Sequence, residues 1–242
     1  MFYKLLDNNI DDTSFIAITE MYKNVTSSVR YKGLISESFP IQQGTRQGGK
    51  SSPLLYLLYI NDLIKELESS RLGMCMYNVD LCSPTVADFM VLVSFSKSGL
   101  DKMLALCYKY AMKWRFEYTT VKCAVVICNS PDKGHSEHSF HMGQQQTEIV
   151  DQYTHLGITC DKYLSTHLLI QEACRRLRGT FLRICNNGIH PENLNPLTSR
   201  TIYKYVVIPK ALYGCEMWSN LSNTDIAKLE RARMFVLNIS RD

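Results

Sequence analysis

The sequence predicts an α+β fold: an antiparallel sheet with packed helices over residues 1–160, then a helical region over residues 161–242. Three observations carry this expectation. Apolar residues recur at helical spacing in three segments of the first half. Strand-like runs separate those segments, in the order strand, helix, strand within an antiparallel core. Beyond about residue 165 the pattern is helical throughout. With 242 residues, 45% of them hydrophobic, the chain can bury one sizeable core and a smaller one.

Element by element, Asp12 or Thr13 is placed to cap a helix that buries Phe15, Ile18, Thr19 and Tyr22. The run Val29 to Ile41 alternates around Gly33 and reads as a hairpin. Ser51 or Ser52 can cap the next helix, Pro53 suits its first turn, and Leu54, Leu57, Leu58, Leu63, Ile64 and Leu67 form its apolar stripe. Met74 to Leu81 and Val86 to Phe95 read as two strands broken at Ser83-Pro84, with Asp88 early in the second. A helix from Ser98 follows, using Leu100, Met103, Leu104, Cys107, Ala111 and Trp114, and then a buried strand over Cys123 to Cys128. A strand pair is expected around Tyr153 to Thr159, and helices over roughly 165–186, 198–218 and 222–239. Pro209 should break the middle one. Ser222-Asn223-Thr224-Asp225 has the form of a capping box for the last.

Composition narrows the function classes. No run approaches the ~20 apolar residues of a membrane span, and the start is too weakly apolar for a secretory signal, so an intracellular protein, cytoplasmic or nuclear, is expected. Nine scattered cysteines without a C-x-x-C pair argue against a disulfide framework. His135-x-x-His138-x-x-His141 lies in a Gly/Ser/Pro-containing stretch and reads as loop, since structural zinc takes four well-placed ligands. The net charge of +4 is entirely C-terminal: residues 1–150 carry 15 basic and 15 acidic side chains, residues 151–242 carry 12 and 8. That bias suits contact with phosphates and equally suits solvated helix faces.

Two blocks carry the chemistry. Gly44-Thr45-Arg46-Gln47-Gly48-Gly49-Lys50-Ser51-Ser52-Pro53-Leu54 is followed, about forty residues on, by Val86-Ala87-Asp88-Phe89. They resemble the palm of the reverse transcriptase of non-LTR (LINE-type) retrotransposons, which pairs a G-x-x-Q-G-x-x-x-S-P block with an Ala-Asp-Asp hairpin. Downstream, Tyr118 to Cys123 resembles the family's Asn-x-x-Lys segment, with threonine for asparagine and Lys122 kept. Tyr153-Thr154-His155-Leu156-Gly157 resembles its primer-gripping hairpin, and Leu212-Tyr213-Gly214-Cys215-Glu216-Met217-Trp218 a segment beyond the palm.

The resemblance implies a partial right-hand polymerase with a palm and a helical thumb or connection. It further implies an RNA template, a DNA primer, dNTP and Mg²⁺. Asp88 would be the catalytic, metal-holding carboxylate. Arg46, Gln47, Gly48 and Lys122 would lie at nucleotide and template. Tyr153, Leu156 and Gly157 would form the primer grip, and Arg175, Arg176 and Arg178 would face nucleic-acid backbone. Two departures bear on activity. Phe89 occupies the second aspartate position, and the earlier strand that carries a further catalytic aspartate is expected to precede these residues, so the chain reads as N-terminally truncated. Two ions need carboxylates converging from different strands, and one is found. The expectation is therefore a reverse transcriptase-like domain impaired in catalysis. The alternatives are a non-catalytic nucleic-acid-binding remnant and a decayed chain that aggregates through uncovered sheet edges.

Overall fold

The computed structural model describes residues 2–42, 44–46, 48–129 and 138–239. It is built of helices and small, mostly antiparallel sheets, an α+β fold, divided into two compact units. Of the three histidines considered for zinc, His135 lies outside the described residues, His138 precedes the strand Phe140–Met142, and His141 stands within that strand, where a loop was expected.

The first unit comprises Met1–Tyr118 with His141–Gln146. Helices α1 (Phe2–Asp7) and α2 (Asp12–Tyr22) open it. The cap of α2 is Asp11, one residue ahead of the expected position, whose Oδ1 accepts from the Ser14 N–H at 2.9 Å. Phe15, Ile18, Thr19 and Tyr22 are the half-buried residues of α2, as their spacing requires. The expected hairpin forms in two steps. Strands β2 (Arg30–Tyr31) and β3 (Leu34–Ile35) pair across Lys32-Gly33, and β1 (Thr26–Ser27) pairs with β4 (Phe39–Pro40) outside them. Both turn residues have positive φ, 47° and 84°, the two-residue geometry that matches strand twist.

Helices α3 (Ser52–Ser70) and α4 (Lys97–Trp114) pack on each other and carry the unit's core. Helix α4 starts at Ser96, whose Oγ accepts from the Gly99 N–H, and buries Met103, Leu104, Cys107 and Ala111 as expected. Helix α3 is rotated from expectation. Leu63 and Leu67 are buried, but the inner face continues through Leu55 and Ile60, leaving Leu54 62% and Leu57 42% exposed. Each fully buried leucine contributes about 1.5–3 kcal/mol, so the face that meets α4 decides the rotation. Lys4 is buried as well. Its ammonium bonds the Tyr59 carbonyl and the Tyr110 hydroxyl, lies 3.0 Å from Asp62, and sits 4.1 Å from the Trp114 ring centre. Burial lowers its pKa, against the pull of Asp62.

Residues 74–93 correct the two-strand expectation. They fold as two hairpins, β5 (Cys75–Met76) with β6 (Val79–Asp80), and β7 (Thr85–Val86) with β8 (Phe89–Met90). Tyr77 and Asn78 take φ of 49° and 68° and turn the first run back on itself. The hairpins are joined by the Met74 N–H on the Val93 carbonyl and the Val93 N–H on the Cys82 carbonyl, both 2.8 Å.

The second unit comprises Thr119–Phe140 with Thr147–Asp242. The expected strand over Cys123 to Cys128 shrinks to β9 (Ala124–Val125), after a 3-10 turn over Thr120–Lys122. It pairs in parallel with the end of β11 (Gln145–Ile149), the strand that follows β10 (Phe140–Met142), Glu148 lying opposite Ala124 and Ile149 opposite Val125. Strands β12 (Gln152–His155) and β13 (Ile158–Asp161) form the expected antiparallel pair. Helix α5 (Thr166–Asn186) then packs Leu177 and Phe181 against Val207, Ala211, Ala232 and Val236.

The middle helical stretch is broken, and earlier than expected. Helix α6 (Pro196–Ile202) passes into a π-turn over Tyr203–Val207, and α7 (Ile208–Ala211) ends before Leu212. Pro209 has no N–H to donate, and the preceding Ile208 N–H reaches back to the Tyr203 carbonyl, one residue beyond the α-helical partner. Helix α8 (Asn223–Ile239) begins in the capping box: Ser222 Oγ lies 2.6 Å from Asp225 Oδ2, and the Asp225 N–H donates back to Ser222 Oγ at 3.2 Å.

Candidate functional site

In the first unit the Gly-rich loop enters α3 with its backbone open. Gly44 and Gly48 take φ of 101° and 82°, a region L side chains avoid, and a Cβ on either would meet nothing within 4 Å. The loop is fastened from inside. The Arg46 carbonyl accepts from Ser52 Oγ at 2.6 Å and from the Gly49 N–H at 3.1 Å. Ser52 is therefore a loop anchor, and α3 starts without a side-chain cap. One guanidinium nitrogen of Arg46 donates to the Met21 carbonyl at 2.9 Å, and the group has further N–H donors for a phosphate. Gln47 lies outside the described residues.

Asp88 stands in the turn of the β7–β8 hairpin, exposed, after Ala87 at φ 52°. This is the turn itself rather than a strand position. Phe89 follows at the start of β8, 49% exposed. Burial, and then the charge of Asp88, hold the Tyr56 phenol above its ordinary pKa, so Tyr56 on α3 is the neighbour that feels this carboxylate. Tyr56 belongs to no motif that would have marked it in the sequence. Asp80, the nearest other acid in sequence, accepts from the Cys82 N–H at 2.8 Å and is held below the usual carboxylate range first by the Cys82 thiol and then by that N–H. Burial pushes the Cys82 thiol up to about 11.

In the second unit three motif segments meet. The Tyr153 hydroxyl donates to the Lys122 carbonyl at 2.8 Å, fixing the backbone of the exposed Lys122 beside β12. The β12–β13 turn is Leu156-Gly157, at φ 49° and 78°. Its two carbonyls are both taken: Leu156 O accepts from the Tyr213 hydroxyl at 3.0 Å, and Gly157 O from Arg176. Arg176 also reaches the Tyr213 carbonyl at 3.5 Å. Segments some fifty-seven residues apart, Tyr-x-x-Leu-Gly and Leu-Tyr-Gly, are thus tied through one arginine of α5. Residues 175 and 178 share a helix face that 176, a further 100° round, does not. Arg175 and Arg178 accordingly line a recess between α5 and α8 instead.

Over these residues a family match decides the relationship: residues 3–160, well over half of the chain, match the family described as reverse transcriptase (RNA-dependent DNA polymerase). The chain belongs to the reverse transcriptase family. The match takes in Arg46, Gly48, Asp88, Lys122 and the hairpin through Gly157, while α5 to α8 lie beyond it. No individually characterised protein matches the chain.

Reverse transcriptases use divalent metal ions. Two ions need a set of converging carboxylates. Among the described residues no group of three His, Cys, Asp or Glu is placed to hold an ion. Asp88 is followed by a phenyl ring, and Asp80 is engaged by the Cys82 N–H just beyond its strand. The described residues do not fit a two-ion centre. No described helix is long and apolar enough to cross a membrane.

Proposed function

We propose that this chain is a reverse transcriptase-like domain of a LINE-type element, with palm-like residues around the Gly-rich loop and the Asp88 hairpin and a thumb-like helical region, and that it is impaired as a polymerase. The partners of the intact activity would be an RNA template, a DNA primer, dNTP and Mg²⁺, inside the cell. The observation that carries the reading is the contrast between its parts. The strand-handling segments are internally braced, by Arg46 with Ser52, by Tyr153 with Lys122, and by Arg176 with Gly157. The hairpin that should hold metal offers one exposed carboxylate and then Phe89. Primer extension on an RNA template with Mg²⁺ tests it. No template-directed incorporation is expected; incorporation abolished by Asp88→Ala would overturn the proposal.

A second reading, nucleic-acid binding without chemistry, is supported by one specific observation. Residues 151–242 carry the whole net charge of +4, and part of that excess is gathered at the α5–α8 recess.

A further inference from the structure

The recess between α5 and α8 has a volume of about 500 Å³ and is lined by Gln171, Cys174, Arg175, Arg178, Gly179, Lys228 and Arg231. Four cations stand on its two walls, two from each helix, and no carboxylate is among the lining residues. Two of the four have an acid nearby: Arg175 bonds Glu172 at 2.7 Å, and Lys228 lies 3.9 Å from Asp225 and 3.0 Å from His167 Nε2. The other two have none among the described residues. Arg178 is stacked over the Phe235 ring, 5.5 Å from its centre, and Arg231 turns its Nε to the Ala227 carbonyl of its own helix. Both guanidiniums are thereby oriented with donors to spare.

Gly179 is the independent sign that the recess is for something. A glycine inside a helix is unfavourable relative to alanine, and it is usually explained by a close neighbour or a positive φ. Here a Cβ would meet nothing within 4 Å, and φ is ordinary. What the missing methyl leaves clear is the wall of the recess itself.

We infer that this recess is a phosphodiester site that takes the sugar–phosphate backbone of a single nucleic-acid strand. Cations facing each other across a groove suit a strand lying between them. A duplex carries its phosphates on a broad cylinder and would touch only the rims. The guanidiniums suit phosphate oxygens, to which they can donate in pairs. The site lies on α5 and α8, beyond the residues matched to the polymerase family. It rests on the nucleic-acid-binding reading above and not on polymerase chemistry.

The test is fluorescence anisotropy of the full chain with a labelled twelve-nucleotide single-stranded DNA over a salt series. Four phosphate contacts give a log–log slope of about −2.8, so affinity falls about fiftyfold from 50 to 200 mM salt. The double variant Arg178→Gln with Arg231→Gln keeps the side-chain stems and should leave a slope of about −1.4, a fall of about sevenfold. Gly179→Ala should weaken binding while raising Tm by about 2–4 °C, an outcome that loss of folding cannot imitate. An unchanged slope in the double variant, with binding intact, would overturn the recess and leave nucleic-acid binding standing. No binding at low salt would overturn both. Displacement of the strand by inorganic phosphate at matched ionic strength would assign the recess to free phosphate, and equal competition by a blunt duplex would remove the single-strand assignment.

Discussion

A methyl group added at Gly73 would have to share space with two backbone atoms and the root of a side chain at once. Its Cβ would fall 2.0 Å from Cys82 Cβ, 2.7 Å from Cys82 Cα and 2.9 Å from the Val93 carbonyl oxygen. None of these is the end of a flexible side chain, so relief requires the two hairpins to part. The bonds at risk are the Met74 N–H on Val93 O and the Val93 N–H on Cys82 O, both 2.8 Å. Losing them contributes about 1 kcal/mol each, and overpacking adds about 1–3 kcal/mol. Gly73→Ala should therefore destabilise the chain by about 3–5 kcal/mol, a fall in Tm of roughly 6–20 °C for a protein of this size. Thermal unfolding followed by far-UV circular dichroism reads it. A change within about 0.5 kcal/mol, the range of an ordinary surface substitution, would refute the convergence of residues 73, 82 and 93, and with it the support of the hairpin that presents Asp88.

Other substitutions test other joints. Arg176→Ala removes the donor to the Gly157 and Tyr213 carbonyls. At a solvent-reachable position this should cost about 1 kcal/mol and speed amide exchange in the Tyr153–Thr159 hairpin; unchanged exchange there would count against the tie. Asp225 is held below its ordinary value of 3.8 first by Ser222 and then by His167. A depressed folded pKa gives stability that is present above 3.8 and lost as pH falls through the folded value. The stability gap between wild type and Asp225→Asn, read by urea titration, should thus hold steady at neutral pH and close in acid; a gap that widens in acid would contradict this. Phe89→Asp sets a second carboxylate beside Asp88. An added unit charge about 4 Å from a divalent ion in water-like surroundings contributes ~2 kcal/mol, so Mn²⁺ should bind about thirtyfold more tightly while primer extension stays absent. Extension restored by that single change would show that Phe89 alone had blocked it.

What could be read from the sequence was what a local rule governs. The inner residues of α5 follow a strict helical stripe, the Ser222–Asp225 box forms as written, and Lys32-Gly33 makes the turn its glycine announces. The failures share a cause, which is that non-local packing made the choice. Residues 74–93 turn at Tyr77-Asn78 and Ala87-Asp88, pairs with no glycine, held by bonds between segments as far apart as Met74 and Val93. Helix α3 has leucines on more than one face, and its contact with α4 selected Leu55 and Ile60 over Leu54 and Leu57. Nothing local in the sequence marks Lys4 for burial, yet it lies among Tyr59, Tyr110 and Trp114. At the candidate site the motifs announced their segments but not their bracing. The adjacent arginines of α5 were read as one basic face, and the helix turns Arg176 to the Leu156-Gly157 hairpin and Arg175 with Arg178 to the recess.

Counting the metal ions this chain can hold bears most directly on the proposal that the strand-handling parts persist while the metal clamp does not. Mn²⁺ titration followed by electron paramagnetic resonance does this on the intact protein, without a template or primer. At most one weakly held ion per chain is expected, lost in Asp88→Ala. Two tightly held ions that both depend on Asp88 would contradict it.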